Sequence, residues 1–359
     1  MKQKILALML ATLLSPAALL AQVSFGKATL WMDGWEHSMD NSKGGSTTYR
    51  KVFNMKDLRK TETYHLYLDG FKGGVDAKMQ VYLNGHLLEN RKNGYVSFID
   101  EMTPYLKQEG ENELKLVATG MNHELGHDLY LVTAPKTHLS KWGIEYLYLP
   151  ESQDSGSLQI TSSSTWIHDE GYSLSAELSD DMEGKNVVAT SEEIPLIANA
   201  DSTHQLRIPL NEAKIWNLKT PQLYLLTVML HKDGKVVCRG KVKVGLRTLK
   251  QVNKKEVMLN GQRVQLKKFV YAEKEPMAKG ELRKKLQTLK NEGYNAIVLR
   301  QPQVPGFYDV CDELGMLVFE GKSGKWLPTE ANDIYLRDRV HPSVIFDKAY
   351  WKLLLSAKT

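Results

Sequence analysis

The chain has 359 residues, 42% of them apolar and 25% charged, with 26 Gly, 12 Pro and 2 Cys. This is ordinary globular composition at a length of two to three domains, and it excludes a disordered, collagen-like or disulfide-scaffold chain. The formal net charge is +5, and Lys2 and Lys4 carry two of those charges, leaving +3 on all the rest, too small a surplus for a nucleic-acid footprint.

Lys2 and Lys4 open a short positive segment, Ile5 to Leu20 is apolar apart from the break at Pro16, and Ala21 precedes Gln22. That order reads as a cleavable export signal over residues 1–21. The apolar run is shorter than the roughly 20 residues of a membrane span, and no later segment supplies one. No Cys follows it, so a lipid anchor there is not expected. The mature chain is therefore read as exported and soluble, periplasmic or secreted. The two cysteines, Cys238 and Cys311, form no C-x-x-C spacing and fall in different regions. Buried free thiols are the ordinary reading, and pairing is not decided by sequence.

From Val23 to about Arg247 the chain runs in short alternating segments. Examples are Tyr64 to Asp69, Met79 to Leu83, Glu113 to Val117, Ser173 to Leu178 and Leu223 to Leu230. Period-two runs bounded by Gly, Asn, Asp and Pro predict strands with one buried face. Asn84-Gly85 and Asn260-Gly261 are type I′ hairpin signals, since both central residues need positive φ. The stretch Glu151 to Ser164 reads as loop-rich, near the start of a second sandwich whose boundary falls near Pro135. After residue 250 strands alternate with helices. Strands are predicted over Val264–Val270, Ala296–Leu299, Met316–Phe319 and Val344–Phe346, and helices over Gly280–Glu292 and Phe307–Leu314. That alternation argues for a parallel sheet or barrel.

His123-Glu124-Leu125-Gly126-His127 fits the H-E-x-x-H zinc motif, which works only on a helix. Here it follows a strand, contains Gly126, and runs into extended-looking sequence, so a loop whose histidines are solvated or line a sugar pocket is expected instead. There is no G-x-S-x-G, and Gly261 onward and Gly321 to Lys325 both miss the phosphate-loop spacing. No cofactor and no metal are expected.

Several stretches, in order, resemble glycoside hydrolase family 2, the group of β-galactosidases, β-glucuronidases and β-mannosidases. Thr48 to Phe53 is similar to its "yRk.F" strand, and Val81 to Gly85 to its "VylNG" hairpin. Asn93 to Asp100, Thr103 and Gly110 to Leu114 resemble "gGY..F..DlT..l..G.N.L". Trp216 to Pro221 with Leu223 and Tyr224 resembles "W....P.LY", Val244 to Thr248 resembles "fGiRt", and Leu259 to Gly261 resembles "LNGk". Further on, Leu289 to Ala296, Phe307 to Met316 and Arg337 to Ile345 resemble "mK..g.NavR", "fydlCDelGl" and "RdrnHPSvi".

The resemblance implies a mainly β, multidomain chain. Its parts are a sugar-binding-like jelly roll over 22–135, an immunoglobulin-like β-sandwich over 136–248, and the N-terminal part of a (β/α)8 TIM barrel over 249–359. A full barrel takes about 250 residues. The family's acid/base glutamate ends an "HPSvi.WslGNE" segment, whereas His341 to Phe346 here continues as Asp347-Lys-Ala-Tyr-Trp351 without Asn-Glu. The nucleophile has no counterpart, so no catalytic residue is assigned. The family's histidines near Lys267–Tyr271 and Arg300–Pro305 are also missing. Asp309 and Glu313 are expected to share a helix face. Arg300, Glu320 and His341 match family positions and are taken as substrate-binding, with Glu320 ending a strand and pointing into the mouth. The implied function is carbohydrate binding or metabolism without glycosidase turnover. Two alternatives stand: an active β-galactosidase-like hydrolase, truncated in this sequence or completed by a partner, and a non-enzymatic surface interaction protein.

Overall fold

The computed structural model describes residues 25–31, 33–40, 45–54, 59–68, 70–71, 77–92, 94, 97–119, 129–152, 155–200, 202–273, 277–320, 328–346 and 350. The signal-like segment, the His123–His127 motif and the Gly321–Lys325 stretch lie outside them. No helix among the described residues is long and apolar enough to cross a membrane.

The first nine strands are β1 (Lys27–Leu30), β2 (Glu36–Asp40), β3 (Ser46–Asn54), β4 (Glu62–Leu68), β5 (Lys78–Leu83), β6 (His86–Arg91), β7 (Phe98–Glu101), β8 (Glu111–Thr119) and β9 (Leu129–Pro135). They form a four-stranded sheet, β1-β9-β4-β7, facing a five-stranded sheet, β2-β3-β8-β5-β6. Alternation on β5 and β8 buries Met79, Val81, Leu83, Leu114 and Leu116 between the sheets. Asn84 (φ 52°) and Gly85 (φ 85°) close the β5–β6 hairpin. On β4 the alternation fails, because both its faces are covered. Tyr64, Leu66 and Leu68 enter the first core, and Tyr67 enters a second core shared with the next unit.

That unit holds β10 (Leu139–Pro150), β11 (Ser155–Ser164), β12 (Tyr172–Ser179), β13 (Val187–Thr190), β14 (Ile194–Pro195), β15 (Thr203–Asn211), β16 (Tyr224–Lys232) and β17 (Lys235–Val244). The sheet β10-β11-β15 packs on β13-β12-β16-β17, with β14 beside β12. The expectation of a loop-rich stretch from Glu151 to Ser164 is corrected here: β11 is the central strand of its sheet, paired on both sides. Leu158 and Ile160 drive it into the core.

An antiparallel hairpin sheet follows, β18 (Leu249–Asn253), β19 (Glu256–Leu259) and β20 (Gln262–Gln265). The strand expected over Val264–Val270 is thus two, β20 here and β21 (Lys268–Tyr271) in a different sheet. After β21 come α1 (Lys279–Asn291), β22 (Ala296–Leu299), α2 (Pro305–Leu314), β23 (Leu317–Glu320), α3 (Pro328–Asp338) and β24 (Val344–Phe346). The four strands are parallel in sequence order. Helix α3 was not foreseen. Its buried Ala331 and Ile334 pack with Tyr350 in a small cluster of their own.

Leu282, Leu286 and Leu289 seat α1 on one face of this sheet together with α2, and Trp216, Val257 and Leu259 cover the other face. Two glycines fix the seams. A Cβ at Gly245 would meet Pro342 at 2.7 Å and Trp216 at 2.9 Å, so the Val244–Thr248 segment can meet the His341–Ser343 segment only without a side chain there. Gly315 ends α2 at φ 65°, and a Cβ there would lie 2.8 Å from the Leu218 carbonyl oxygen.

Candidate functional site

In a parallel sheet, ligands gather at the C-terminal ends of the strands. Arg300 follows β22 directly and is exposed. Glu320 is the last residue of β23 and is fully buried. The period of two along β23 puts Leu317 and Phe319 on the face covered by Trp216, and Val318 on the face under α2. Glu320 shares the Val318 side, and its Oε2 accepts a hydrogen bond from the Tyr308 hydroxyl of α2 at 2.8 Å. The expectation that this carboxylate points into a mouth is therefore corrected: it stands behind the strand, against the helix layer. Burial pushes the Tyr308 hydroxyl well above its ordinary pKa, so it remains a donor.

His341 lies on the approach to β24, behind the same sheet. Its ring is 5.4 Å from that of Tyr308, so the structure gathers His341 and Glu320 around one tyrosine and leaves Arg300 at the exposed strand end. His341 Nδ1 is 2.6 Å from Asp312 Oδ2. Burial alone opposes a charged ring, but the Asp312 carboxylate overrides it and holds the imidazole above its usual pKa. The other Asp312 oxygen accepts the Ser343 amide at 3.0 Å, and the Asp312 carbonyl accepts the buried Trp216 indole at 3.0 Å. Arg247 donates to the carbonyls of Pro342 (2.5 Å) and Val344 (3.3 Å). Asp309 and Glu313 do share a helix face, and Lys243 of β17 reaches both, at 3.0 and 3.7 Å.

Ligand atoms of Asp309, Asp312 and His341 lie within 4.8 Å of one another, which is metal-like spacing. The donors are already committed, however. Both Asp312 oxygens are in use, and an ammonium group rather than a metal sits on Asp309. The group is a hydrogen-bonded seam between the second sandwich and α2. Beside it is a cavity of about 40 Å³, lined in part by Trp142, Lys243, Asp309 and His341, large enough for ordered water.

A second polar seam joins the first sandwich to α3. Arg91 pairs with Asp333 at 2.7 Å and with Glu89 at 3.0 Å, and the Lys92 amide donates to Glu330 at 3.0 Å. Arg337 donates to the Gln303 carbonyl (2.8 Å), to Ser97 (3.3 Å) and to its neighbour Asp338 (2.7 Å). Burial, followed by the charge of Glu89, pushes Asp100 up to about 7. None of Tyr308, Glu330, Asp333 or Arg337 was singled out as a site residue from sequence. Their partners are separated by up to 240 residues, which no local pattern reveals.

The model of glycosyl hydrolases family 2 matches residues 137–247. A β-galactosidase of Bacteroides ovatus is 24% identical over 334 residues, covering 84% of this chain and 39% of its own length. A β-galactosidase of Thermoanaerobacter pseudethanolicus is 25% identical over 82% of this chain and 43% of its length. Residues 137–247 thus match the family 2 model, and the chain is similar to family 2 glycosidases over most of its length. A β-glycosidase from Bacteroides vulgatus has the same fold (TM-score 0.71, 23% identity, 88% of this chain and 45% of that one). So does a family 2 member from Bacteroides cellulosilyticus (TM-score 0.72, 19% identity, 90% and 51%). The chain spans about 40% of the length of these two curated relatives.

Proposed function

We propose that the chain is an exported, carbohydrate-binding family 2 protein that does not itself turn over a glycoside. Its parts are the jelly roll, the immunoglobulin-like sandwich and the opening strands of a (β/α)8 barrel. The observation that carries this reading is the state of the acids near the strand ends. Glycoside hydrolysis in the usual mode needs two carboxyl groups facing a shared sugar, about 5–5.5 Å apart for retention or about 6.5–9.5 Å apart for inversion. Among the described residues, Glu273 is paired with Lys285, Glu320 with Tyr308, Glu330 with the Lys92 amide and Asp333 with Arg91. Each holds two elements together. Arg300 remains at that edge, exposed and able to donate to sugar hydroxyls or a uronate.

The names of the relatives make β-galactosides and β-glucuronides the first sugars to try. With the full chain, aryl β-galactoside and aryl β-glucuronide are expected to show no release above a blank. Galacto- or glucurono-oligosaccharides are expected to raise the melting temperature, and Arg300→Ala to reduce that shift. Turnover by the wild-type chain that Glu320→Gln abolishes would overturn the reading.

A further inference from the structure

Strand β17 reads Lys235-Val-Val-Cys-Arg-Gly-Lys-Val-Lys-Val244, and its alternation sends Lys235, Arg239, Lys241 and Lys243 to one outward face. Cations on a sheet face are ordinarily balanced by acids on the neighbouring strand. Here the residues across on β16 are Lys232, Met229, Thr227 and Leu225. The nearest acid in register, Glu177, stands one strand further away, across Thr227. Lys243 is held by Asp309. Among the described residues, Arg239 and Lys241 have no carboxylate partner, and neither has Lys27 on β1.

These three cations line one cleft, where β1 and β9 of the first sandwich meet β17 of the second. Its volume is about 410 Å³, within the roughly 300–1,000 Å³ of small-ligand pockets. Phe25, Pro135, Val237 and Cys238 give it an apolar floor, and Thr133 adds a hydroxyl. Cys238 is spent on the fold: its thiol donates to the Phe25 carbonyl at 3.1 Å, and burial pushes it up to about 11. An apolar floor, one hydroxyl and three uncompensated cations describe a receptor for a small, hydroxylated anion.

We infer that this cleft is a second glycan site, separate from the strand ends, that takes the carboxylate or sulfate of an anionic sugar residue. Arg239 offers a planar fork that matches such an oxyanion and Lys27 adds charge from β1, while Lys241, whose ammonium leans toward Gly184, adds charge at longer range. The choice of a glycan over other polyanions rests on the similarity to family 2 glycosidases and on the proposed carbohydrate role.

The test uses the full chain and four probes: trigalacturonate, a sulfated galactose disaccharide, neutral galactotriose and a short single-stranded DNA. The expected result is binding of the two anionic sugars that weakens with added salt. The triple variant Lys27→Ser/Arg239→Ser/Lys241→Ser should weaken it about tenfold, since each exposed charge contact contributes modestly. All three side chains reach solvent, so an unchanged melting temperature will show that the variant is folded. Lys241→Glu alone should weaken anionic sugars and leave galactotriose unaffected. Failure of the anionic sugars to bind, or binding indifferent to the triple variant, overturns the site. DNA bound as tightly as the sugars, and lost in the same variant, means an unspecific polyanion field and overturns the glycan assignment. Loss of anionic sugar binding on Arg300→Ala, but not in the triple variant, places the anion at the strand ends. That outcome overturns this inference and leaves the proposed function standing.

Discussion

The two sandwiches meet each other through an apolar seam, whereas their contacts with the parallel unit add charge pairs to apolar packing such as that of Trp216. Between the sandwiches, Phe25, Tyr67, Ile99, Tyr130 and Val132 pack with Leu139, Trp142 and Ile144. Its polar groups include two histidines, His65 and His138, against the Phe25 ring at 4.9 and 4.8 Å. Burial drives His65 down to about 3, so it is neutral there. The seams to the parallel unit also carry the pairs Arg91–Asp333, Lys243–Asp309 and Arg339–Glu145, with His341–Asp312 beside them. Apolar burial is insensitive to direction, and directional charge pairs fix register. The first seam joins the sandwiches by area; the others orient the strand ends.

The largest expected effect breaks a charged seam. Asp312→Ala strips His341, the Ser343 amide and their shared buried acceptor at once. Removing one member of such a buried pair costs about 3–5 kcal/mol. Urea unfolding should show this loss. A cost below about 1 kcal/mol would mean that water replaces the carboxylate and that the seam is not tightly built.

The next two effects separate the seams by pH, because their titrating groups have opposite signs. Asp100 binds its proton more tightly folded than unfolded. Its contribution is complete below the unfolded value of 3.8 and is lost as pH rises through about 7. Asp100→Asn should therefore flatten the fall in melting temperature between about pH 4 and 7. At pH 8 it should make the protein more stable by up to about 4 kcal/mol, with Glu89, Arg91 and Lys141 still in place. His65 is the reverse. Its folded pKa is depressed, so its contribution is complete above 6.5 and is lost as pH falls toward 3. At pH 5 the wild type should have lost about 2 kcal/mol that His65→Leu retains. Parallel pH profiles for wild type and both variants would end the contrast between the seams.

What the sequence made legible was local. Asn84-Gly85 predicts its own hairpin because the backbone demands positive φ there. The alternation on β8 predicts its face because only one side is buried. Strand β4 was legible as a strand but not as one buried on both faces, since the second cover comes from a different unit. Glu320 shows the same limit at the site. Its place at a strand end was readable, but its facing depends on Tyr308 claiming it from α2. Helix α3 was hidden for a further reason: its apolar residues Ala331, Ile334, Tyr335 and Leu336 fill little more than one turn and serve two different cores, so no stripe runs the length of the helix.

The smallest effect tests whether burial, rather than charge as such, gives the seams their weight. Glu256 is nearly buried on β19, but its partner Arg263 reaches it at 3.4 Å from a side chain that is 71% exposed. Asn253 and Gln265 also donate to Glu256, each at 3.3 Å, so the carboxylate keeps hydrogen bonds when the guanidinium is removed. Arg263→Ala should therefore cost less than about 1 kcal/mol, and still less in high salt. Urea titration beside Asp312→Ala gives the ratio directly. If the two variants lose equal stability, solvent exposure is not what distinguishes a decorative ion pair from a structural one in this protein, and the charged seams need another explanation.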